Sequence, residues 1–148
     1  MILNFSTNTL NKKIYLIRSN YKRIGGAENY LRRLSKALKN MNLDHQILHS
    51  SFPRFLPSWF KALLFNLQLS LSKNDKFYYS LERITCPDIY RAGDGVHKIF
   101  LSIEDKSHLN LLHPVYLYLE KRCFNNAKHI IANSLMVKRQ IIECYNIS

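Results

Sequence analysis

Asp94 and His97 are the residues of this sequence best suited to move protons. They lie in residues 93–97, a turn-rich cluster that follows a short apolar run, with Gly93 and Gly95 on either side of the acid. A carboxylate and an imidazole this close together can serve a substrate as hydrogen-bonding or acid–base groups. The same residues also fit an Asp-Gly turn followed by a histidine that faces solvent. The local pattern leaves both interpretations open.

A second candidate is the glycine pair Gly25 and Gly26, which follows a polar loop and opens an amphipathic helix. Glycine lets the backbone approach a ligand closely, and a helix N-terminus favours an anion such as a phosphate. A plain turn is the competing interpretation, because neither the Gly-x-Gly-x-x-Gly nor the Walker spacing is present.

Asn133 and Ser134 are the third candidate, because they directly follow an apolar run. Their types equally predict a simple helix cap. The histidines have no ligand-like spacing, so we expect no metal site. The three cysteines form no Cys-x-x-Cys pattern, which favours reduced thiols in a cytosolic protein over a disulfide framework or a zinc site.

The apolar patterning predicts the elements that position these residues. Short runs that suit buried strands occur at residues 14–17, 45–48, 76–80, 89–92 and 129–132. Helical periodicity occurs at residues 27–41, 58–71 and 114–125 and again after Ser134, with Pro114 expected as a first helical residue. Alternating strands and helices predict one α/β domain of 148 residues with a Rossmann-like parallel sheet flanked by helices. Ligands bind at the carboxyl ends of strands in such sheets, where all three candidates fall.

The charge of the chain is strongly basic and unevenly distributed. The formal net charge is +12, and residues 1–40 hold nine basic residues against one acidic residue, Glu28. This balance favours anionic partners: nucleic acid, phosphorylated ligands or an anionic membrane surface. No run approaches the roughly 20 apolar residues that span a bilayer. We therefore expect a protein that is soluble or attached to a membrane from one side.

Two stretches, residues 52–65 and 116–124, mix aromatic side chains with lysine and arginine. Core packing explains such a mixture. Contact with one leaflet of a membrane explains it too, because aromatic groups enter the headgroup zone while cations meet anionic lipid.

Three segments in order carry a family resemblance. Residues 25–34 begin Gly-Gly-Ala-Glu, residues 90–97 read Tyr-Arg-Ala-Gly-Asp-Gly-Val-His, and residues 130–134 read Ile-Ile-Ala-Asn-Ser, followed by residues 137–139 and Tyr145. Together they resemble the N-terminal lobe of family-four retaining glycosyltransferases of the GT-B fold, in particular members that build lipopolysaccharide core or capsule. The resemblance covers residues 14–148, nearly the whole chain.

The resemblance implies a function and site residues. In that family the N-terminal lobe mostly holds the acceptor, a second lobe binds the nucleotide-sugar, and no metal or bound cofactor is generally needed. The co-substrate would be a UDP- or GDP-sugar, and the acceptor a glycolipid or phosphorylated glycan. His97 and Asp94 would be catalytic. The implied substrate-binding residues are Gly25, Gly26, Gly95, Asn133 and Ser134.

The resemblance also implies a location at a membrane. Related lipopolysaccharide enzymes touch the inner face of the plasma membrane through a basic, aromatic segment that corresponds here to residues 98–124. The implied contacts with anionic lipid are Lys98, Tyr116, Tyr118, Lys121 and Arg122. We therefore expect a cytoplasmic, peripheral membrane protein.

The sequence ends where the family's connection between lobes begins, so the donor-binding lobe and its Glu-x7-Glu motif are absent from it. We expect that these residues alone do not transfer sugar and that the missing lobe is supplied separately, for example as a second chain. The alternatives are a basic nucleic-acid-binding domain and a non-catalytic domain that binds a membrane or a partner. No helix-turn-helix, zinc-finger or RRM signature is present, so no nucleic acid is expected.

Overall fold

Within the described part of the chain, five short strands form one parallel sheet. The computed structural model describes residues 12–22, 24–103 and 110–147. The strands are β1 (Ile14–Ile17), β2 (His45–Leu48), β3 (Phe77–Ser80), β4 (Ile89–Ala92) and β5 (His129–Ala132). They lie in the order β2-β1-β3-β4-β5, and every neighbouring pair is parallel. The predicted Rossmann-like α/β class is confirmed, with β3 one residue shorter at its start than predicted.

Among the described residues, five helices connect or follow these strands. They are α1 (Gly26–Asn40), α2 (Ser58–Leu71), α3 (His97–Ile103), α4 (Leu112–Asn126) and α5 (Leu135–Tyr145). One prediction was wrong in detail, and one helix was not predicted. Pro114 is the third residue of α4 and not the first. Residues 97–103 form a helix that the sequence pattern did not predict.

The core lies on both faces of the sheet because successive residues of a strand point to opposite sides. In β1, Leu16 packs in one cluster with Leu31 of α1. Its neighbour Ile17 packs in another cluster with Phe65 and Leu69 of α2. Helices α1 and α2 therefore cover opposite faces, and α4 and α5 contribute to a third cluster around Tyr90 of β4.

This arrangement creates a switch point at the carboxyl ends of β1 and β3. The chain leaves β1 toward β2 on one side and later enters β3 on the other side, so the connections diverge between these two strands. Open α/β sheets bind ligands in the crevice that such a divergence leaves.

The three cysteines differ in how far they are exposed to solvent. Cys123 is buried, and burial raises the pKa of its thiol to about 12, whereas Cys86 and Cys144 are partly exposed.

Within the described ranges, no helix combines the length and apolar character that crossing a bilayer requires.

Candidate functional site

Arg18, the first residue after β1, connects the loops at the switch point. Its guanidinium Nε and Nη2 lie 3.0 and 2.9 Å from Oε1 of Glu28. Its Nη1 lies 3.2 Å from Oε1 of Glu82 and 3.6 Å from Oδ2 of Asp94. Burial alone would lower the pKa of Arg18, but the three carboxylates raise it above its ordinary value. Arg18 thus joins the ends of β1, β3 and β4 and the start of α1.

The carboxylate of Glu28 occupies the space beside the α-carbon of Gly25. A β-carbon on Gly25 would stand 2.5 Å from Oε2 of Glu28, whereas one on Gly26 would meet nothing within 4 Å. Glu28 is itself 3% exposed and held by Arg18. The backbone of Gly25 is extended, so close approach and not backbone conformation accounts for glycine there. Gly26, the first residue of α1, is exposed and open.

Asp94 and His97 have different surroundings. The Asp94 side chain is 52% exposed at the edge of the Arg18 network. His97 is 9% exposed, and its ring lies edge-on to Tyr116 and stacks with Phe100 and with His113. His97 Nε2 lies 3.2 Å from Nδ1 of His113. Burial lowers the pKa of His97, so the neutral imidazole predominates at neutral pH.

Glu120 of α4 fixes the start of α3 and thereby the backbone of His97. This carboxylate is fully buried. It accepts hydrogen bonds from the backbone N–H of His97 at 2.7 Å and of Lys98 at 3.2 Å. Nε of Arg83 donates to it at 2.9 Å and the hydroxyl of Tyr145 at 2.5 Å. A buried carboxylate needs such partners, and this set connects α3, α4, α5 and the loop after β3.

The remaining predicted binding residues brace the same loops. Gly95 has a φ of +74°, a left-handed conformation that favours glycine, and its carbonyl accepts from Nη2 of Arg83 at 3.3 Å. Nδ2 of Asn133 donates to the carbonyl of Gly93 at 2.9 Å. Ser134 caps α5, since its Oγ accepts from the backbone N–H of Val137 at 3.2 Å. The cap interpretation of Ser134 is confirmed.

A cavity of about 590 Å³ opens at the switch point, beside the predicted loops. Its floor contains Phe65, Ile84 and Leu119, which are all nearly inaccessible to solvent. Glu82, Arg83 and Tyr116 form one side of it. The other polar lining residues come from the loops after β1 and β2 and from the start of α2: Ser19, Asn20, Tyr21, Lys22, His49, Ser50, Ser51, Arg54, Ser58 and Lys61. Of the predicted site residues, Tyr116 alone lines this cavity.

The predicted membrane contacts fall on α3 and α4. Lys98, Tyr118, Lys121 and Arg122 are exposed, whereas Tyr116 is half-buried in the cavity wall. Exposed apolar side chains flank them on the same two helices and the residue before α4: Phe100, Ile103 and Leu111. Residues 104–109 of the predicted segment lie outside the described residues.

Sequence reasoning missed Arg18, Glu82, Arg83 and Glu120. One signal was available for Glu120, because it stands at helical spacing from Tyr116, Cys123 and Phe124, within an otherwise apolar stripe. An acid in such a stripe needs a buried partner. The roles of Arg18 and Glu82 depend on contacts across the sheet edge, which local patterns do not encode.

Neither the comparison with protein-family models nor that with curated proteins gives a match to this chain. Its function is therefore argued from the geometry of the site and from the segments of the sequence.

Proposed function

We propose that these residues form the acceptor-binding lobe of a retaining glycosyltransferase that acts on a glycolipid or phosphorylated glycan. The observation that carries the proposal is the cavity at the β1–β3 switch point and its connection to the loop of Asp94 and His97. Arg18 bridges Glu82 of the cavity wall to Asp94 at 3.2 and 3.6 Å, and Arg83 donates to the carbonyl of Gly95. A ligand in the cavity would lie beside that loop.

The cavity and the loop of Asp94 and His97 offer complementary chemistry to a sugar acceptor. The cavity is polar and basic, which suits hydroxyl-rich and anionic molecules. In sugar transfer, an acceptor hydroxyl bonds to the anomeric carbon, the bond from that carbon to the nucleoside diphosphate breaks, and the hydroxyl proton passes to the departing phosphate oxygen. His97 is neutral at pH 7 and stands at the start of α3, where it could hydrogen-bond to a sugar hydroxyl as the family resemblance implies.

The proposal assigns the donor, a UDP- or GDP-sugar, to a second lobe outside this sequence. The nucleotide would lie across from Gly25 and Gly26. Gly26 retains open space for such a ligand, whereas Gly25 is occupied by Glu28. The exposed cations and apolar side chains of α3 and α4 would face the anionic surface of the membrane that carries the acceptor.

A binding experiment tests the acceptor role. Purified residues 1–148 are titrated with deacylated lipopolysaccharide core oligosaccharide, with a neutral malto-oligosaccharide and with UDP-glucose, and shifts of the backbone amide signals are followed by NMR. We expect the core oligosaccharide to bind and to shift signals of residues 19–22, 49–54 and 82–84. We expect the other two probes to bind much more weakly, and no transfer from UDP-glucose.

Two results would contradict the proposal. One is tighter binding of UDP-glucose than of the core oligosaccharide, or sugar transfer by the chain alone. The other is stronger retention on duplex DNA than on the oligosaccharide at physiological salt, which would favour the nucleic-acid alternative.

A further inference from the structure

Three cations around the switch-point cavity have no carboxylate partner among the described residues. Lys22 comes from the loop after β1, Arg54 from the loop after β2, and Lys61 from the first turn of α2. Within the part of the chain that the structure describes, none of the three forms an ion pair. Two stretches of the sequence, one at Lys22 and one at residues 54–61, thus bring unpaired positive charge to one cavity.

The other two charged lining residues, Glu82 and Arg83, are opposite in sign, and each has an ion-pair partner within the protein. Glu82 is paired with Arg18, and its Oε1 also accepts from Oγ of Ser19 at 2.6 Å. Arg83 is paired with the buried Glu120. The surplus at the cavity is therefore the charge of Lys22, Arg54 and Lys61. Like charges repel in one small volume, and a bound anion would reverse that cost.

The rest of the lining suits a molecule larger than a bare anion. A volume of about 590 Å³ lies within the range of small-molecule sites, roughly 300–1,000 Å³. Hydroxyls of Ser50, Ser51 and Ser58 line the polar side, while Phe65, Ile84 and Leu119 make an apolar floor. Hydroxyl groups recognise hydroxyl groups, and the floor can cover the apolar face of a sugar ring.

We propose that this cavity binds a phosphorylated sugar, with the phosphate held by Lys22, Arg54 and Lys61 and the ring placed over the floor. Arginine and lysine are the usual ligands of phosphate, through charge-assisted hydrogen bonds. The inference rests on the proposed function for the sugar part of the ligand. The charges of the cavity alone support the anion-binding part.

The test uses small probes that separate binding of the sugar ring from binding of the phosphate. Glucose 6-phosphate, glucose 1-phosphate, glucose and inorganic phosphate are titrated into residues 1–148 at constant ionic strength, by calorimetry and by amide NMR. We expect at least one sugar phosphate to bind more tightly than both glucose and inorganic phosphate and to shift the amide signals of Ser50, Ser51 and Ser58.

Matched variants assign the charges. Arg54→Gln and Lys61→Gln should each weaken sugar-phosphate binding roughly tenfold, the usual size of one charge-assisted hydrogen bond. Arg139→Gln on α5 and Lys36→Gln on α1 remove equal charge from exposed positions outside the cavity and should leave the affinity unchanged. Lys22→Gln, at an exposed position, provides a third cavity variant. Circular dichroism of each variant verifies that the fold is retained.

The outcomes are distinguishable. Equal binding of inorganic phosphate and the sugar phosphates overturns the sugar assignment, and equal losses in the cavity and control variants overturn the phosphate assignment. Failure of the core oligosaccharide to bind, while a sugar phosphate still binds through Arg54 and Lys61, overturns the acceptor role and supports the pocket.

Discussion

The carboxylate of Glu28 folds back over Gly25, so that a β-carbon on Gly25 would stand 2.5 Å from Oε2. Arg18 holds this carboxylate from the other side at 2.9 Å. Because the arginine fixes the carboxylate and Glu28 is buried, the side chain has little room to move aside. The Gly-Gly-Ala-Glu segment therefore has an internal function: its first glycine makes room for its acid, and its acid ties α1 to the end of β1.

The first prediction compares the two glycines. Gly25→Ala should lower the free energy of unfolding by about 1–3 kcal/mol, the usual cost of forcing an added group into a packed place. Gly26→Ala should be neutral or stabilising by up to about 1 kcal/mol, because nothing lies near its β-carbon and alanine favours a helix. Urea unfolding followed by circular dichroism measures both. A Gly25→Ala variant that is as stable as the wild type would show that Glu28 moves aside readily.

The second prediction concerns the buried carboxylate of Glu120. Glu120→Gln keeps the shape but removes the charge that pairs with Arg83, which should lower the free energy of unfolding by about 3 kcal/mol. Glu143→Gln on the exposed side of α5 is the matched control and should change it by less than about 0.5 kcal/mol. Amide exchange at His97 and Lys98 should accelerate in the Glu120 variant alone. Unchanged exchange there would mean that α3 is held by its other contacts.

The architecture follows from local patterns because its strands are short runs that each carry apolar side chains. The runs at Ile14–Ile17 and His45–Leu48 are bounded by polar residues, and both strands begin and end as predicted. Helix α2 also matches its predicted bounds, Ser58–Leu71. Periodicity is informative where burial of one face decides the conformation.

The network at the site could not be predicted in the same way. Helix α3 begins at His97 because a carboxylate 23 residues later accepts its first N–H group. Arg18 meets Glu82 and Asp94 because β1, β3 and β4 are neighbours in the sheet, an order that composition does not specify. The cations of the cavity could not be predicted either, because the loop after β1, the loop after β2 and helix α2 supply them separately.

The third prediction is a pH dependence that originates at His97. Burial lowers the pKa of His97 below its ordinary value of 6.5, and Arg83 and His113 lower it further while Glu120 opposes them. Below about pH 6.5 the unfolded chain therefore binds a proton that the folded chain does not, so stability is lost as the pH falls. The slope from this one group is at most about 1.4 kcal/mol per pH unit.

Urea unfolding between pH 5 and 8 measures this effect in the wild type and in His97→Gln. The glutamine side chain does not titrate there, so the variant should lose part of the decline below pH 6.5. A variant that keeps the full decline would assign the effect to other groups.

The last prediction tests the proposed membrane surface on α4. Tyr118, Lys121 and Arg122 are exposed on this helix, and the Arg122 guanidinium lies 5.9 Å from the centre of the Tyr118 ring. Lys121→Ala with Arg122→Ala should weaken binding to phosphatidylglycerol vesicles roughly 30-fold, because each basic residue near such a surface contributes about 1 kcal/mol.

The control for this prediction, Lys138→Ala with Arg139→Ala, removes the same charge from exposed positions on α5. If α4 is the contact surface, this control pair binds nearly as well as the wild type, measured by vesicle sedimentation. Equal losses from both pairs would mean that net charge alone, and not the face of α4, draws the protein to the lipid.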